Sequence, residues 1–201
     1  RFFVSAHASL EELFAIGTIA SGPDRVTINW RVREKPQPPN TKFKIPPVDA
    51  PNVRGARDLG FNVGSGNGVP DVSALRAAVD RDDVKVLYVF DPGPDGTLGD
   101  IDWILAARKH GKIGVLIVQG ALHTPLTEAA DIVLPGAAWV EKDAIYTNDQ
   151  GLVQGASKAI NAPGESVEDW QVLTSVAAAL GLPYTYTTSQ QVRVDLASHL
   201  S

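Results

Sequence analysis

The chain has 201 residues, enough for one large α/β domain or two small ones, and its 44% apolar and 20% charged residues are ordinary for a globular protein. A net charge of -5 with scattered basic residues gives no positive stripe, so nucleic acid is not an expected partner. The absence of cysteine excludes disulfides, thiolate ligation of iron–sulfur clusters or molybdenum, and cysteine nucleophiles.

No apolar run approaches the roughly 20 residues of a membrane span, so direct membrane insertion is not expected. The N-terminus has no signal-peptide architecture. With Arg1 in first place and no methionine, the chain reads as a piece of a longer polypeptide.

In chain order, Phe2 to Ala6 predicts a short buried strand. Ser9 opens a helix through a Ser-x-x-Glu capping box with Glu12, and Leu10, Leu13, Phe14 and Ile16 give its apolar face. The Gly22-Pro23 turn closes that unit, and Val26 to Trp30 reads as a second strand. Residues 34 to 51 form a proline-rich loop with Pro36, Pro38, Pro39, Pro46, Pro47 and Pro51. A helical turn follows within Asn52 to Gly60, then the glycine-rich Gly64-Ser65-Gly66-Asn67-Gly68. Val72 to Arg81 predicts a helix and Val84 to Phe90 a continuous apolar strand of the parallel-sheet type. Ile101, Ile104 and Leu105 mark a helix ending near His110. Val115 to Val118 is a second buried strand, Pro125 to Ala130 a short helix and Ile132 to Leu134 a third strand. Trp139 to Gln154 is irregular. Ser166 reads as the cap of a helix with Asp169 at its third position and a core face of Val167, Trp170, Leu173, Val176 and Leu180, stopped by Gly181 and Pro183. The Thr- and Ser-rich tail reads as an added strand or a partly disordered extension. The alternation predicts a doubly wound α/β fold with a mainly parallel sheet and helices on both faces.

The glycine-rich stretch at Gly64 lacks the strand-loop-helix context of a phosphate loop and reads better as a connector. Asp91-Pro92-Gly93-Pro94-Asp95-Gly96 is better placed, directly after a buried strand, where open α/β sheets hold ligands. Turn chemistry alone also explains it. His7, His110, His123 and His199 show no metal-ligand spacing, so no metal site is expected. Asp82-Asp83 and Glu168-Asp169 read as solvated helix ends, and no residue stands out as catalytic.

The run Ala130-Asp131-Ile132-Val133-Leu134-Pro135-Gly136-Ala137-Ala138-Trp139-Val140-Glu141-Lys142 resembles a hallmark of the molybdopterin-oxidoreductase superfamily. The resemblance continues through Tyr146-Thr147-Asn148, Gly151-Leu152-Val153-Gln154, Lys158-Ala159-Ile160, Pro163-Gly164-Glu165 and Asp169-Trp170. That superfamily includes formate dehydrogenases, nitrate reductases and the large iron–sulfur subunit of NADH:quinone oxidoreductase (respiratory complex I), which has lost the pterin. Phe3 to Glu12 and Ala50-Pro51-Asn52-Val53-Arg54-Gly55-Ala56 resemble phrases of that last subunit. The chain departs from the family at Ala144-Ile145, where Gly-Thr is usual, and at Gln150-Gly151-Leu152, where Glu-Gly-Arg is frequent.

The resemblance implies a molybdopterin-oxidoreductase-like α/β domain over residues 1–182 and a C-terminal extension over 183–201. It implies the pterin-free part of a complex I subunit: a scaffold for electron transfer, without a catalytic residue or cofactor of its own. Iron–sulfur clusters are then expected elsewhere in the parent, the other subunits of a respiratory complex as partners, and a peripheral place on the cytoplasmic side of a bacterial inner membrane (the matrix side in a mitochondrion). Asp91, Pro92, Thr147 and Asn148 are the candidates for a vestigial pterin site. The alternative is the pterin-binding part of a molybdenum or tungsten oxidoreductase of the formate dehydrogenase kind, where the loop at Asp91 and the segment Tyr146 to Asn148 would help hold a molybdopterin. A stand-alone nucleotide-binding module is the second alternative.

Overall fold

The computed structural model describes residues 1–33, 36–42, 45, 48–64, 70–93 and 96–200. Gly64 is therefore described, but the rest of the glycine-rich stretch lies outside the described residues, as do Pro94, Asp95 and parts of the proline-rich loop.

Five strands form one wholly parallel sheet: β1 (Phe2–Ser5), β2 (Val26–Asn29), β3 (Val86–Asp91), β4 (Val115–Gly120) and β5 (Ile132–Pro135), in the order β2-β1-β3-β4-β5. Between them run α1 (Leu10–Ile19), a 3-10 turn (Pro23–Arg25), α2 (Val53–Asp58), α3 (Ser73–Asp80), α4 (Asp102–Lys109) and α5 (Pro125–Ala129). The expected doubly wound α/β architecture is observed. Strand side chains alternate between faces, and each face finds its own helices. Val4, Tyr88 and Phe90 pack into a core with residues of α1 and α2, while Phe3, Leu87 and Val89 pack into a second core with residues of α3, α4 and α5.

The capping box forms as its residues require. Ser9 Oγ accepts from the Glu12 amide at 3.3 Å and Glu12 Oε2 accepts from the Ser9 amide at 2.8 Å, so two otherwise orphaned donors are satisfied at the start of α1. Ser9→Ala is expected to lower stability by about 1 kcal/mol in denaturant unfolding, the usual cost of losing such a cap.

Three expectations change in the C-terminal third. The Trp139 to Gln154 segment contains a regular hairpin strand, β6 (Ala144–Thr147), antiparallel to β7 (Val153–Ala156). Its turn is held by Asn148, whose Oδ1 accepts from the amides of Gln150 and Leu152, each at 3.0 Å. Helix α6 (Asp169–Ala179) starts three residues after Ser166, whose amide instead closes a turn onto the Pro163 carbonyl at 3.1 Å. Its buried face is Trp170, Leu173 and Ala177, while Val167 and Leu180 are exposed. Among the described residues, the tail holds a helix where a strand or partial disorder was expected. It forms α7 (Ser189–Leu200), which lays Val192 and Leu196 into the core shared with α1 and α6. Among the described residues, no helix is long and apolar enough to cross a membrane.

Candidate functional site

The strand order reverses between β1 and β3, because the chain leaves β1 for β2 on one side and then crosses to β3 on the other. At such a switch point the loops after two adjacent strands diverge and leave a crevice at their carboxyl ends. Here a cavity of about 350 Å³ is lined by His7, Pro51, Pro92, Gly93, Trp139, Lys142 and Tyr146. His7 follows β1, Pro92 and Gly93 follow β3, and the other four are brought over the crevice by the loop before α2, by the segment leading into β6 and by β6 itself. The walls are mostly apolar carbon, with a few polar tips.

The loop after β3 is shaped by Asp91. Its carboxylate accepts from the Thr97 amide at 3.1 and 3.0 Å and from the Thr97 hydroxyl, so the side chain fastens its own turn. Burial pushes the Asp91 carboxyl up, and the donors from Thr97, Gly93 and Leu98 pull it back. Gly93 has no room for a side chain, since a Cβ would collide with that of Thr97. Because the Thr97 hydroxyl donates to Asp91, the Ser5 hydroxyl donates to Thr97. Ser5 Oγ then faces His7 Nδ1 at 3.4 Å as an acceptor, a weak contact that favours the Nδ1–H tautomer and leaves Nε2 as the ring's acceptor. Burial pushes the His7 imidazole down to about 4, with Asp49 opposing and Arg31 adding to the effect, so His7 is neutral at physiological pH. Burial and Glu12 hold the Tyr146 phenol well above its ordinary value.

Behind the cavity the structure places a chain of buried polar groups. Lys142 Nζ lies 2.5 Å from Glu12 Oε1 and 2.6 Å from Asp169 Oδ2. Asp169 Oδ1 accepts from Gln119 Nε2 at 2.8 Å, and Gln119 Oε1 accepts from the Tyr88 hydroxyl. Asp169 is fully buried, which overturns its reading as part of a solvated helix end. Gly136 is glycine because a Cβ there would strike the Asp169 carboxylate. Burial alone would push the Lys142 ammonium down, but Asp169 and Glu12 together outweigh it and hold it above its ordinary value.

The Pro-Asn-Val-Arg-Gly stretch also acquires a physical role. Asn52, fully buried, donates from Nδ2 to the Ala8 carbonyl at 2.7 Å and accepts at Oδ1 from the Thr147 amide at 2.9 Å, tying the loop after β1 to β6. Gly55 lies so close to Asn52 and Leu10 that a Cβ would collide with both.

Of the sequence-predicted site residues, Pro92 lines the cavity and Asp91 lines a neighbouring pocket of about 380 Å³ with Arg31 and His123. Thr147 is buried beside Asn52, and Asn148 holds the hairpin turn next to a separate open hollow. His7, Trp139 and Lys142 were not singled out by the sequence as a site, whereas Tyr146 opens the Tyr146 to Asn148 segment expected to help hold a pterin under the alternative, and it lines the cavity. Trp139 and Lys142 lie within the Ala130 to Lys142 run, which is the signal that could have found them. Among the described residues, no group of three or more His, Cys, Asp or Glu side chains is arranged to hold a metal ion.

Comparison with known proteins gives the same part of the chain a family. The F420-dependent formate dehydrogenase 1 subunit alpha of Methanococcus maripaludis is 32% identical over 134 residues, covering 66% of this chain and 19% of that protein. The F420-dependent formate dehydrogenase subunit alpha of Methanocaldococcus jannaschii is 38% identical over 98 residues, covering 49% of this chain and 14% of that protein. A nitrate reductase of Symbiobacterium thermophilum is 32% identical over 127 residues, covering 62% of this chain and 16% of that protein. The chain therefore spans less than a fifth of the length of these curated relatives. Residues 21–179, well over half of the chain and including β3 to β7, match the family described as molybdopterin oxidoreductase. The chain belongs to the molybdopterin oxidoreductase family.

Proposed function

We propose that this chain is the pterin-holding part of a molybdenum or tungsten oxidoreductase of the formate dehydrogenase or nitrate reductase kind. The observation that carries this reading is the cavity at the switch point between β1 and β3, the place where open α/β sheets bind nucleotides. The residues present fit one flat, heterocyclic end of a pterin nucleotide. Pro51, Pro92 and Trp139 offer apolar walls, Gly93 allows close backbone approach, and His7 and Tyr146 offer polar tips to ring N–H and carbonyl groups. In this reading His7, Pro92, Trp139 and Tyr146 hold the cofactor, and Asp91 shapes the loop that presents Pro92 and Gly93. When bound, the metal–pterin group supplies two-electron redox chemistry; the residues described here bind it, orient it and keep water from its ring. The proposal includes iron–sulfur clusters and partner subunits outside this stretch.

The pterin-free complex I reading differs in leaving this cavity without a cofactor. The relatives named above are formate dehydrogenases and a nitrate reductase, and they favour the pterin.

The test at the level of the chain is thermal stabilisation by a guanine nucleotide, used as a probe of the cavity. A ligand at a hundredfold excess over its dissociation constant stabilises the native state by about 2.7 kcal/mol. For a chain of this size that is a rise in Tm of roughly 5–10 °C. Trp139 is 62% exposed, so Trp139→Ala is expected to leave the ligand-free Tm nearly unchanged and to remove most of the shift. The absence of any shift at about millimolar nucleotide would count against the reading.

A further inference from the structure

Glu12, Lys142 and Asp169 have side chains at most 3% exposed, and together they carry two negative charges and one positive when all are ionised. Among the described residues, ion pairs to these two carboxylates come from Lys142 alone. The neighbouring elements do not cancel the surplus. Tyr146 faces the cluster from β6, and Tyr88 of β3 reaches it through Gln119 of β4. Glu11 of α1 is turned away to Arg193 of α7, at 2.8 Å, and to the Ile145 amide, at 3.0 Å. From α2 the charged side chains are an exposed pair of Arg54 and Asp58 and the exposed Arg57. His7 across the cavity is neutral.

An uncompensated charge in a dry interior is costly enough that such a site binds a proton in preference to remaining charged. We propose that Glu12, Lys142 and Asp169 form a one-proton binding site behind the switch-point cavity. A proton from hydronium adds to a Glu12 carboxylate oxygen, water is left behind, and the net charge of the cluster goes from minus one to zero. Beside Lys142, Glu12 accepts from the Ser9 amide and Asp169 from Gln119, so each carboxylate has two donors and the pair shares one cation. Burial pushes the Glu12 carboxyl up to about 7, with Lys142 opposing and Asp169 adding to the rise. Lys142 also lines the cavity, so loading this proton changes the electrostatic field at the ligand site. The inference stands whether or not the cavity holds a pterin.

The test is difference infrared spectroscopy of the chain between about pH 8 and about pH 6, well above the range where exposed carboxyls titrate. The expected result is a protonated-carboxyl C=O band worth about one group per chain, shifted by carboxyl-13C glutamate. Glu12→Gln removes the band, and Asp169→Asn, which leaves a neutral Glu12–Lys142 pair, moves its appearance to lower pH. The wild-type spectrum decides first, so a variant that fails to fold does not blunt the test. No carboxyl band until pH falls below about 5, or a band indifferent to the glutamate label, overturns the proposal.

Discussion

Lys142→Met is expected to lower the folding free energy by about 3–5 kcal/mol, measured by urea unfolding, which would be the largest single-residue effect in the cluster. The reason is the asymmetry of buried ion pairs. Lys142 meets Glu12 at 2.5 Å and Asp169 at 2.6 Å, with its side chain only 2% exposed. Removing the ammonium leaves two carboxylates facing each other in the core, and at least one must be protonated or the packing must open. The cluster also joins three separate pieces of chain: α1, the loop before β6 and α6. The loss should therefore loosen the segment that carries Trp139 and Tyr146 over the cavity. Neutralising a partner should soften the effect, so Glu12→Gln combined with Lys142→Met is expected to cost less than the sum of the two single changes. A loss under about 1 kcal/mol for Lys142→Met would show that the cluster is solvated in the native state.

The second large effect is a pH dependence. The Glu12 carboxyl has its ordinary value of 4.5 in the unfolded chain and is pushed up to about 7 by burial in the native one. Between those values the native state holds a proton that the unfolded state has released. This contribution is therefore fully present below about 4.5 and is lost as pH rises through about 7, a change of roughly 3 kcal/mol. His7 works in the opposite direction. Its imidazole is pushed down from 6.5 to about 4, so its contribution is present above 6.5 and lost as pH falls through about 4. The two slopes overlap, and the wild-type curve alone does not separate them. The difference between Glu12→Gln and wild type does. The variant is expected to gain relative stability as pH rises from about 4.5 to about 7, because its neutral amide never releases a proton. A pH-independent difference would mean that Glu12 titrates as an ordinary carboxyl.

Glu12 also shows what the sequence could and could not reveal. Its spacing from Ser9 announces a capping box, and the box is there. That its other oxygen reaches Lys142, 130 residues away, is a consequence of topology that no local pattern encodes. Asp169 is harder still. An acidic residue at a helix start reads as a solvated end, since the dipole favours it there, and its burial depends on Lys142 and Gln119 arriving from elsewhere. The sheet was legible because buried parallel strands are continuous apolar runs, as in Val86 to Phe90 and Val115 to Val118. The β6–β7 hairpin was not, because β7 is exposed and its strands are only four residues long. Helix α7 was hidden by its polar composition: Val192 and Leu196, four residues apart, are its buried contacts with the first core. At the candidate site, Asp91 and Pro92 could be placed from the rule that ligands sit at the carboxyl ends of strands. His7 follows β1, far in sequence from the stretch that carries Trp139 and Tyr146, and the fold brings the two together at one cavity.

Whether this stretch holds the pterin nucleotide of a molybdenum or tungsten enzyme is tested most directly by the molybdenum, tungsten, pterin and iron content of the native full-length polypeptide that contains it. Molybdenum or tungsten together with a pterin is the expected result, and loss of the pterin from a Trp139→Ala polypeptide would assign it to this cavity. Iron without either metal or pterin would contradict the proposal and return the chain to the role of a cofactor-free scaffold in a respiratory redox subunit.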